Sequence, residues 1–172
     1  MIRRDALGLA LAITTLILGG CGGGDGSPTE LSSVTQQKLS PAESGDQIAN
    51  LYVAALKDVT EMLKDKPEVS QARSRVQELK ETYVRKLVEL GRAREALDEA
   101  GRSAVDAAIR RKVDALAGES WYATYNSLQQ YYSSKDQDFQ RLVLSFNIIG
   151  QYANFDLLKK QDPSEAKRLG VE

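Results

Sequence analysis

The chain contains no histidine, and it has one cysteine among its 172 residues. Without an imidazole it cannot build a His-ligated metal or haem site, or pair a serine or cysteine nucleophile with a histidine base. A single thiol permits neither an internal disulfide nor a Cys-ligated zinc site. Most familiar classes of enzyme site are therefore excluded, and we expect neither a metal ion nor a bound cofactor.

An excess of charge of either sign is also missing. The 23 Lys and Arg residues face 24 Asp and Glu residues, which leaves a net charge of -1. A nearly neutral chain lacks the broad cationic field that nucleic-acid binding requires, so nucleic acid is not expected as a partner. The 42% of hydrophobic residues suffice for a packed core, and the length corresponds to one domain.

The first twenty residues have the organisation of a secretory signal. Two arginines precede an apolar run from Ala6 to Ile17, which is too short to span a bilayer. The run ends in Leu18-Gly19-Gly20-Cys21, a sequence that resembles the lipobox of bacterial lipoproteins. The resemblance implies that residues 1–20 are a cleaved signal peptide and that Cys21 carries diacylglycerol and an N-terminal acyl chain.

Residues 21–39 begin with a glycine-rich stretch and continue with Ser, Thr and Gln. This composition predicts a flexible tether between the lipidated Cys21 and a folded domain at 40–172. Acyl chains contribute roughly 0.8 kcal/mol per buried methylene, so the resemblance implies stable attachment to a membrane. Gly22, and not Asp, follows the cysteine, which by the rule of this family implies, in a two-membrane bacterium, the periplasmic face of the outer membrane.

The folded part has the pattern of helices. No proline occurs between Pro67 and Pro163, and the residues between them are rich in helix formers. Ser40 with Glu43 fits a capping box, and Asp162 caps a helix that begins at Pro163. Apolar residues three or four apart predict helix A at 41–64, B at 67–99, C at 104–117 with Ser103 as its cap, D at 120–133, E at 136–160 and F at 163–169. Short links predict antiparallel neighbours, and hence an all-α fold, an up-and-down bundle of four to five helices after the tether.

One feature of helix B is ambiguous from the sequence. Gly91 either ends this helix in a left-handed conformation or lies in its interior, where glycine costs about 1 kcal/mol relative to alanine. We favour one long helix.

Aromatic residues are concentrated in the C-terminal half, where nine of the eleven lie between Trp121 and Phe155. The stretches 120–134 and 142–155 carry no charge, so helix E is predicted to be enclosed on most sides. The helical spacing also predicts two polar stripes. One consists of Asn147, Gln151 and Asn154 on helix E, and the other of Tyr122, Asn126 and Gln129 on helix D, beside the face of Trp121.

A row of half-buried amides is costly unless each amide finds a partner. One interpretation is structural, with amides and tyrosines specifying how helix D packs on helix E. The other is a recognition surface, because aromatic and amide side chains are typical of interfaces. It would consist of Trp121, Tyr122, Asn126, Gln129, Asn147, Gln151 and Asn154.

The sequence therefore suggests a non-enzymatic lipoprotein of the cell envelope whose helices D and E bind a protein partner. The alternative is a ligand-binding module, with an aromatic and amide-lined groove that holds a glycan, a lipid or a small molecule.

Two short motifs have simpler explanations. Glu119-Ser120 resembles the catalytic Glu-Ser pair of lytic transglycosylases, in which a glutamate protonates a glycosidic oxygen. The Gly-Leu-Met-Gln-type element of that family is absent, so capping of helix D by Glu119 or Ser120 is the favoured interpretation. Arg110-Arg111-Lys112 lacks interleaved aromatics and is interpreted as a solvated face of helix C.

Overall fold

The structure is a computed structural model that describes residues 39–171. The predicted signal peptide, the lipidated Cys21 and the tether up to residue 38 lie outside the described residues. The described part contains no strand, and it confirms the predicted all-α helical bundle. Its elements are α1 (Pro41–Leu63), α2 (Val69–Glu95), α3 (Glu99–Asp114), a 3-10 segment η1 (Ala115–Gly118), α4 (Ser120–Ser133), α5 (Gln137–Leu144), a second 3-10 segment η2 (Ser145–Ala153), α6 (Phe155–Gln161) and α7 (Pro163–Arg168).

Helix α1 is the centre of the bundle and packs against α2, α3, α4 and η2. The predicted capping box is present at its start: the Ser40 hydroxyl accepts from the Glu43 amide at 3.3 Å, and the Glu43 carboxylate accepts from the Ser40 amide at 2.8 Å. The apolar face predicted for helix A is buried at Ile48, Tyr52, Ala55 and Val59. These surrounding elements therefore all pack against one long helix, whose apolar face is buried.

Helix α2 runs without a break through Gly91, as preferred from the sequence, and ends at Glu95. A Cβ atom at position 91 would lie 2.6 Å from Cε1 of Phe155 and 3.0 Å from Cα of Ala153. Glycine is needed here because the end of η2 and the start of α6 approach the backbone of α2. Gly91, a possible helix end from the sequence, is therefore an interior residue of α2 that allows this close approach.

The predicted boundary between helices B and C is wrong. Asp98, and not Ser103, is the N-cap of α3, since its carboxylate accepts from the Gly101 amide at 2.7 Å. Helix α3 therefore begins at Glu99, inside the range assigned to helix B, and its α-helical part ends at Asp114. The local signal for this boundary was Asp98 itself, because Asp is a preferred N-cap residue whose carboxylate accepts from the backbone amide of the third residue after it.

Helix E is also wrong as one continuous helix, because the structure divides it into α5, η2 and α6. Side chains engage carbonyls in the last turn of α5: the Tyr125 hydroxyl donates to the Val143 carbonyl at 2.9 Å, and the Ser145 hydroxyl donates to the Leu142 carbonyl at 2.6 Å. The backbone changes from α to 3-10 geometry at this point, in agreement with the tendency of side-chain hydrogen bonds to compete with the helical ladder. The predicted enclosure nevertheless holds for the aromatic and aliphatic positions Phe139, Phe146, Ile149 and Ala153, which are all buried.

A buried arginine joins α2 to α3. Arg94 is only 4% exposed, and its guanidinium donates to both carboxylate oxygens of Asp106, at 3.1 and 3.0 Å, and to Glu95 at 2.9 Å. The burial of Arg94 is not apparent from the sequence, because this residue follows the charge pattern of an exposed helix face.

No helix between residues 39 and 171 is long and apolar enough to cross a bilayer.

Candidate functional site

Two of the predicted site residues, Trp121 and Tyr122, lie half-buried in the first turn of α4. The Trp121 indole donates to the Glu119 carboxylate at 3.0 Å, and the Lys57 ammonium lies 5.2 Å from the centre of the indole ring. The Tyr122 ring packs edge to face on Trp121 and stacks on Tyr125. The aromatic start of α4 is therefore fixed against α1, although part of each ring remains accessible.

Glu119 has a different role from either one considered for it. It occupies the N-cap position of α4, but its side chain makes no capping hydrogen bond, so the predicted capping is wrong in this respect. Its carboxylate is exposed and binds the Trp121 indole. That position lacks the apolar enclosure that a general-acid carboxyl needs.

The two amides predicted on helix D lie in different surroundings. Asn126 is exposed on α4, whereas Gln129 is half-buried. The Nε2 atom of Gln129 is fully buried and has no hydrogen-bond partner among residues 39–171. Asn126 and Gln129 therefore differ in burial, although they lie on the same helix.

The predicted stripe of three amides on helix E does not exist, because its members lie on different elements. Asn147 and Gln151 belong to η2, where three residues make a turn and positions four apart are no longer aligned as in an α-helix. Asn154 is the N-cap of α6, with its side-chain oxygen accepting from the Leu157 amide at 3.1 Å. Its side-chain oxygen therefore stabilises a helix end.

Asn147 and Gln151 nevertheless come together at a notch of about 170 Å³. The residues that line the notch lie on α1, α3 and η2. The two amides therefore lie beside α3, whereas the sequence interpretation placed them between helices D and E. We call this surface the Ile148 patch; it consists of Tyr52, Ile109, Val113, Asn147, Ile148, Gly150 and Gln151.

Two features of the Ile148 patch distinguish it from an ordinary helix surface. Ile148 is 52% exposed, although it is a large aliphatic residue. The neighbouring Asn147 has a side-chain oxygen, Oδ1, that is buried and has no hydrogen-bond partner among the described residues. A buried acceptor without a donor costs about 1–3 kcal/mol, and because this atom is closed to solvent, it is a cost of the fold itself.

Tyr52 connects the patch to the aromatic start of α4. Its hydroxyl donates to the backbone carbonyl of Asn147 at 3.2 Å. Burial raises the pKa of Tyr52 to about 12, and the proximity of Tyr122 contributes to the same shift. The two predicted groups of residues are thus neighbours through Tyr52 of α1.

Other parts of the surface are of a different kind. A cleft of about 700 Å³ between α2 and α7 contains both acidic and basic side chains, among them Arg85, Glu89 and Arg168. A groove of about 550 Å³ runs between α1 and α2 over Leu51 and Leu90. Within residues 39–171, no group of three or more His, Cys, Asp and Glu side chains is arranged to hold a metal ion.

Comparison with known proteins finds no match to this chain among protein-family models, curated proteins or solved structures. The fold and the site alone define the class, which is an all-α helical bundle with an uncharged surface patch around Ile148.

Proposed function

We propose that this chain is a lipid-anchored, non-enzymatic protein of the bacterial cell envelope, and that its helical domain binds another protein through the Ile148 patch. The membrane attachment rests on residues 1–21, with their signal-like start and their resemblance to a lipobox. The anchor supplies location, and the bundle supplies the binding surface.

The observation that carries the binding proposal is the exposure of Ile148 beside the notch. This aliphatic side chain is 52% exposed and lies next to a recess that Ile109 and Val113 help to line. Exposed apolar area costs free energy in the isolated domain, and a partner with an apolar group relieves that cost.

The size of the notch supports a protein partner over a small ligand. Pockets for small molecules are usually about 300–1,000 Å³, whereas this notch measures about 170 Å³. In a protein–protein interface, one side chain of the partner fills a notch of this size, and the surrounding surfaces of the two proteins form the rest of the contact.

The binding proposal is tested by placing a photo-crosslinking amino acid at position 148 in the full-length, lipidated chain and irradiating whole cells. A discrete protein adduct is expected. The same probe at the exposed Ser74 on α2 is the control and should give no discrete adduct. If position 148 also gives none while the domain is folded, the binding proposal is wrong.

The anchoring proposal has a separate test. Cys21→Ala removes the thiol that the lipobox resemblance marks for lipid attachment, so the protein is expected to move from the membrane fraction to the soluble fraction. Density-gradient separation of the two membranes then locates the parent protein, with the outer membrane as the expected fraction. A variant that stays with the membrane would contradict lipid anchoring through Cys21.

A further inference from the structure

The cleft between α2 and α7 has the size of a small-molecule site. Its volume of about 700 Å³ lies within the range of about 300–1,000 Å³ that is usual for such sites, unlike the notch of the Ile148 patch. One wall is a face of α2, because positions 81, 85, 88 and 92 are three or four residues apart. The other wall is the end of α7, with Arg168 and Leu169.

One of the three arginines of this cleft is already neutralised by the protein itself. The Arg168 guanidinium donates to the Glu165 carboxylate at 2.6 and 2.7 Å and to the Glu81 carboxylate at 3.2 and 3.3 Å. These bonds join α7 to α2. The charge of Arg168 is therefore compensated, and Arg168 and Glu81 serve to form the cleft.

The other two arginines, Arg85 and Arg92, are in a different state. Neither forms an ion pair with a carboxylate among residues 39–171. Arg85 donates through Nε to the Glu81 carbonyl at 3.3 Å, a bond that positions the guanidinium without using its terminal amino groups. Val88, which is only 6% exposed, lies between the two arginines on the same face of α2, so an apolar floor separates two guanidinium groups.

The two arginines are close enough to act on one ligand group. They are seven residues apart, which corresponds to about 10.5 Å along the helix axis, and each side chain is long enough to reach the midpoint above Val88. Glu89 is exposed at the rim, and its spacing from both arginines lets it approach either guanidinium. Arg85, Arg92 and Glu89 together leave one net positive charge, which favours an anion, and Glu89 competes with that anion.

We infer that this cleft binds the phosphate group of a small organic ligand, with Arg85 and Arg92 holding the phosphate and with Val88 and Leu169 under the rest of the ligand. The planar guanidinium donates two parallel hydrogen bonds to two oxygens of one phosphate, and a phosphate has enough oxygens for two such groups. The site shares no residue with the Ile148 patch and is independent of the proposed function.

The test is a titration of the full-length, lipidated chain in nonionic detergent, with the methyl groups of valine and leucine labelled for NMR. Phenyl phosphate is the probe, because it combines a phosphate with a small apolar body. The methyl resonances of Val88 and Leu169 should shift saturably, whereas those of Leu51, in the groove between α1 and α2, should not. Phenol is the control ligand and should give no saturable shift at Val88. Absence of a saturable shift at Val88 with phenyl phosphate overturns the inference.

The matched variants change one charge each at exposed positions. Arg85→Gln and Arg92→Gln should each weaken the binding of phenyl phosphate about tenfold, because each removes a charge-assisted contact. Arg111→Gln makes the same change on the exposed surface of α3 and should leave binding unchanged. Circular dichroism checks that all three variants keep the helicity of the parent. Unchanged binding in both cleft variants, or equal weakening by Arg111→Gln, overturns the inference.

Glu89→Gln gives the opposite expectation. It removes the competing carboxylate from the rim, so phenyl phosphate should bind at least about threefold more tightly. Weaker binding in this variant would mean that Glu89 holds a cationic group of the ligand, which contradicts an anion site.

Soluble organic phosphates and phospholipid headgroups both carry the group that this cleft fits. Glycerol phosphate tests the soluble source, and phosphatidylglycerol added to the micelles tests the membrane source. The compound that shifts the Val88 methyl resonances at the lower concentration identifies the source, and either result supports the phosphate site.

Discussion

The first half of the bundle is built from long helices and the second half from short ones. Helices α1 and α2 run for 23 and 27 residues, whereas α5, η2, α6 and α7 run for only 8, 9, 7 and 6 residues. In the first half the helical ladder satisfies most backbone groups, and side chains mainly pack. In the second half, side chains such as Tyr125, Asn154 and Asp162 hold the helix ends and breaks. Loss of a polar side chain should therefore affect the two halves differently.

The largest loss of stability is expected in the first half, where the buried guanidinium of Arg94 binds the carboxylate of Asp106. Asp106→Asn leaves the guanidinium of Arg94, which is 4% exposed, with Glu95 as its remaining carboxylate partner. Removing one member of a buried ion pair costs about 3–5 kcal/mol. Because Glu95 remains and the Asp106 side chain is 37% exposed, the free energy of unfolding in urea should fall by an amount at the lower end of this range, about 3 kcal/mol.

The matched control for this pair is Asp138→Asn in the second half. Asp138 binds Arg141, but these side chains are 78% and 73% exposed. Exposed pairs contribute about 0–1 kcal/mol, so this variant should unfold almost like the parent. Equal losses for the two variants would show that the Arg94 pair is not a buried interaction.

High pH provides the next largest effect. Burial raises the pKa of Tyr52 to about 12, above the value of about 10 for an unfolded tyrosine. Because the folded state favours the neutral phenol, its contribution is complete below pH 10 and is lost as the pH rises from 10 to 12. The loss amounts to roughly 2–3 kcal/mol from this one residue, since each pKa unit corresponds to about 1.4 kcal/mol.

The variant Tyr52→Phe isolates this contribution. Denaturant unfolding between pH 8 and pH 12 should show a shallower alkaline decline than in the parent, although not a flat one, because burial also raises the pKa of Tyr125 and Tyr152 in the second half. An unchanged slope above pH 10 would exclude Tyr52 as a source of the pH dependence.

The junction of the two halves is tested by Gly91→Ala. Helix propensity alone predicts a gain of about 1 kcal/mol. The new Cβ would instead lie 2.6 Å from the Phe155 ring, and overpacking of this kind costs about 1–3 kcal/mol. We expect a net loss of up to about 2 kcal/mol. Gly118→Ala, where no atom lies within 4 Å of the added Cβ, should be neutral or stabilising, and a gain at both positions would contradict the close packing at Gly91.

The difference between the halves also explains which features were predictable from the sequence. In α1 and α4 the spacing of apolar residues gave the correct helix, since a regular α-helix repeats every 3.6 residues. Periodicity alone did not reveal the change to 3-10 geometry at Ser145, because that change depends on tertiary hydrogen bonds such as the one from Tyr125 to Val143. The predicted amide stripe failed for the same reason.

The candidate site was only partly predictable. The charge-free run from Leu142 to Phe155 drew attention to the segment that carries Asn147 and Gln151. The exposure of Ile148 was not predictable, because an isoleucine in an apolar run is normally read as core. Ile109 and Val113 belong to the patch because α3 lies beside η2. The local sequence pattern of either element does not predict this tertiary arrangement.

A smaller effect is expected for Tyr125→Phe in the second half. The substitution keeps the ring but removes the hydroxyl that donates to the buried Val143 carbonyl at 2.9 Å. The Ser145 amide still donates to this carbonyl, so the expected loss is that of one hydrogen bond, about 0.5–1.5 kcal/mol. Tyr122→Phe is the matched control on the same helix, where the ring is half-buried, and we expect a change of less than about 0.5 kcal/mol. Similar losses for the two variants would mean that the bond to Val143 does not stabilise the end of α5.

The smallest expected effect distinguishes a helix cap from a binding residue. Asn154→Ala removes the side-chain oxygen that accepts from the Leu157 amide at 3.1 Å, and loss of such a cap costs about 1 kcal/mol. Asn126→Ala, at an exposed position in α4, removes an amide without removing a cap, so the melting temperature should be unchanged or slightly higher.

The cross-linked adduct from position 148 should persist in both variants, because neither residue belongs to the Ile148 patch. If Asn154→Ala left the melting temperature unchanged and abolished the adduct, Asn154 would be a binding residue, and the assignment of this side chain to the start of α6 would be wrong.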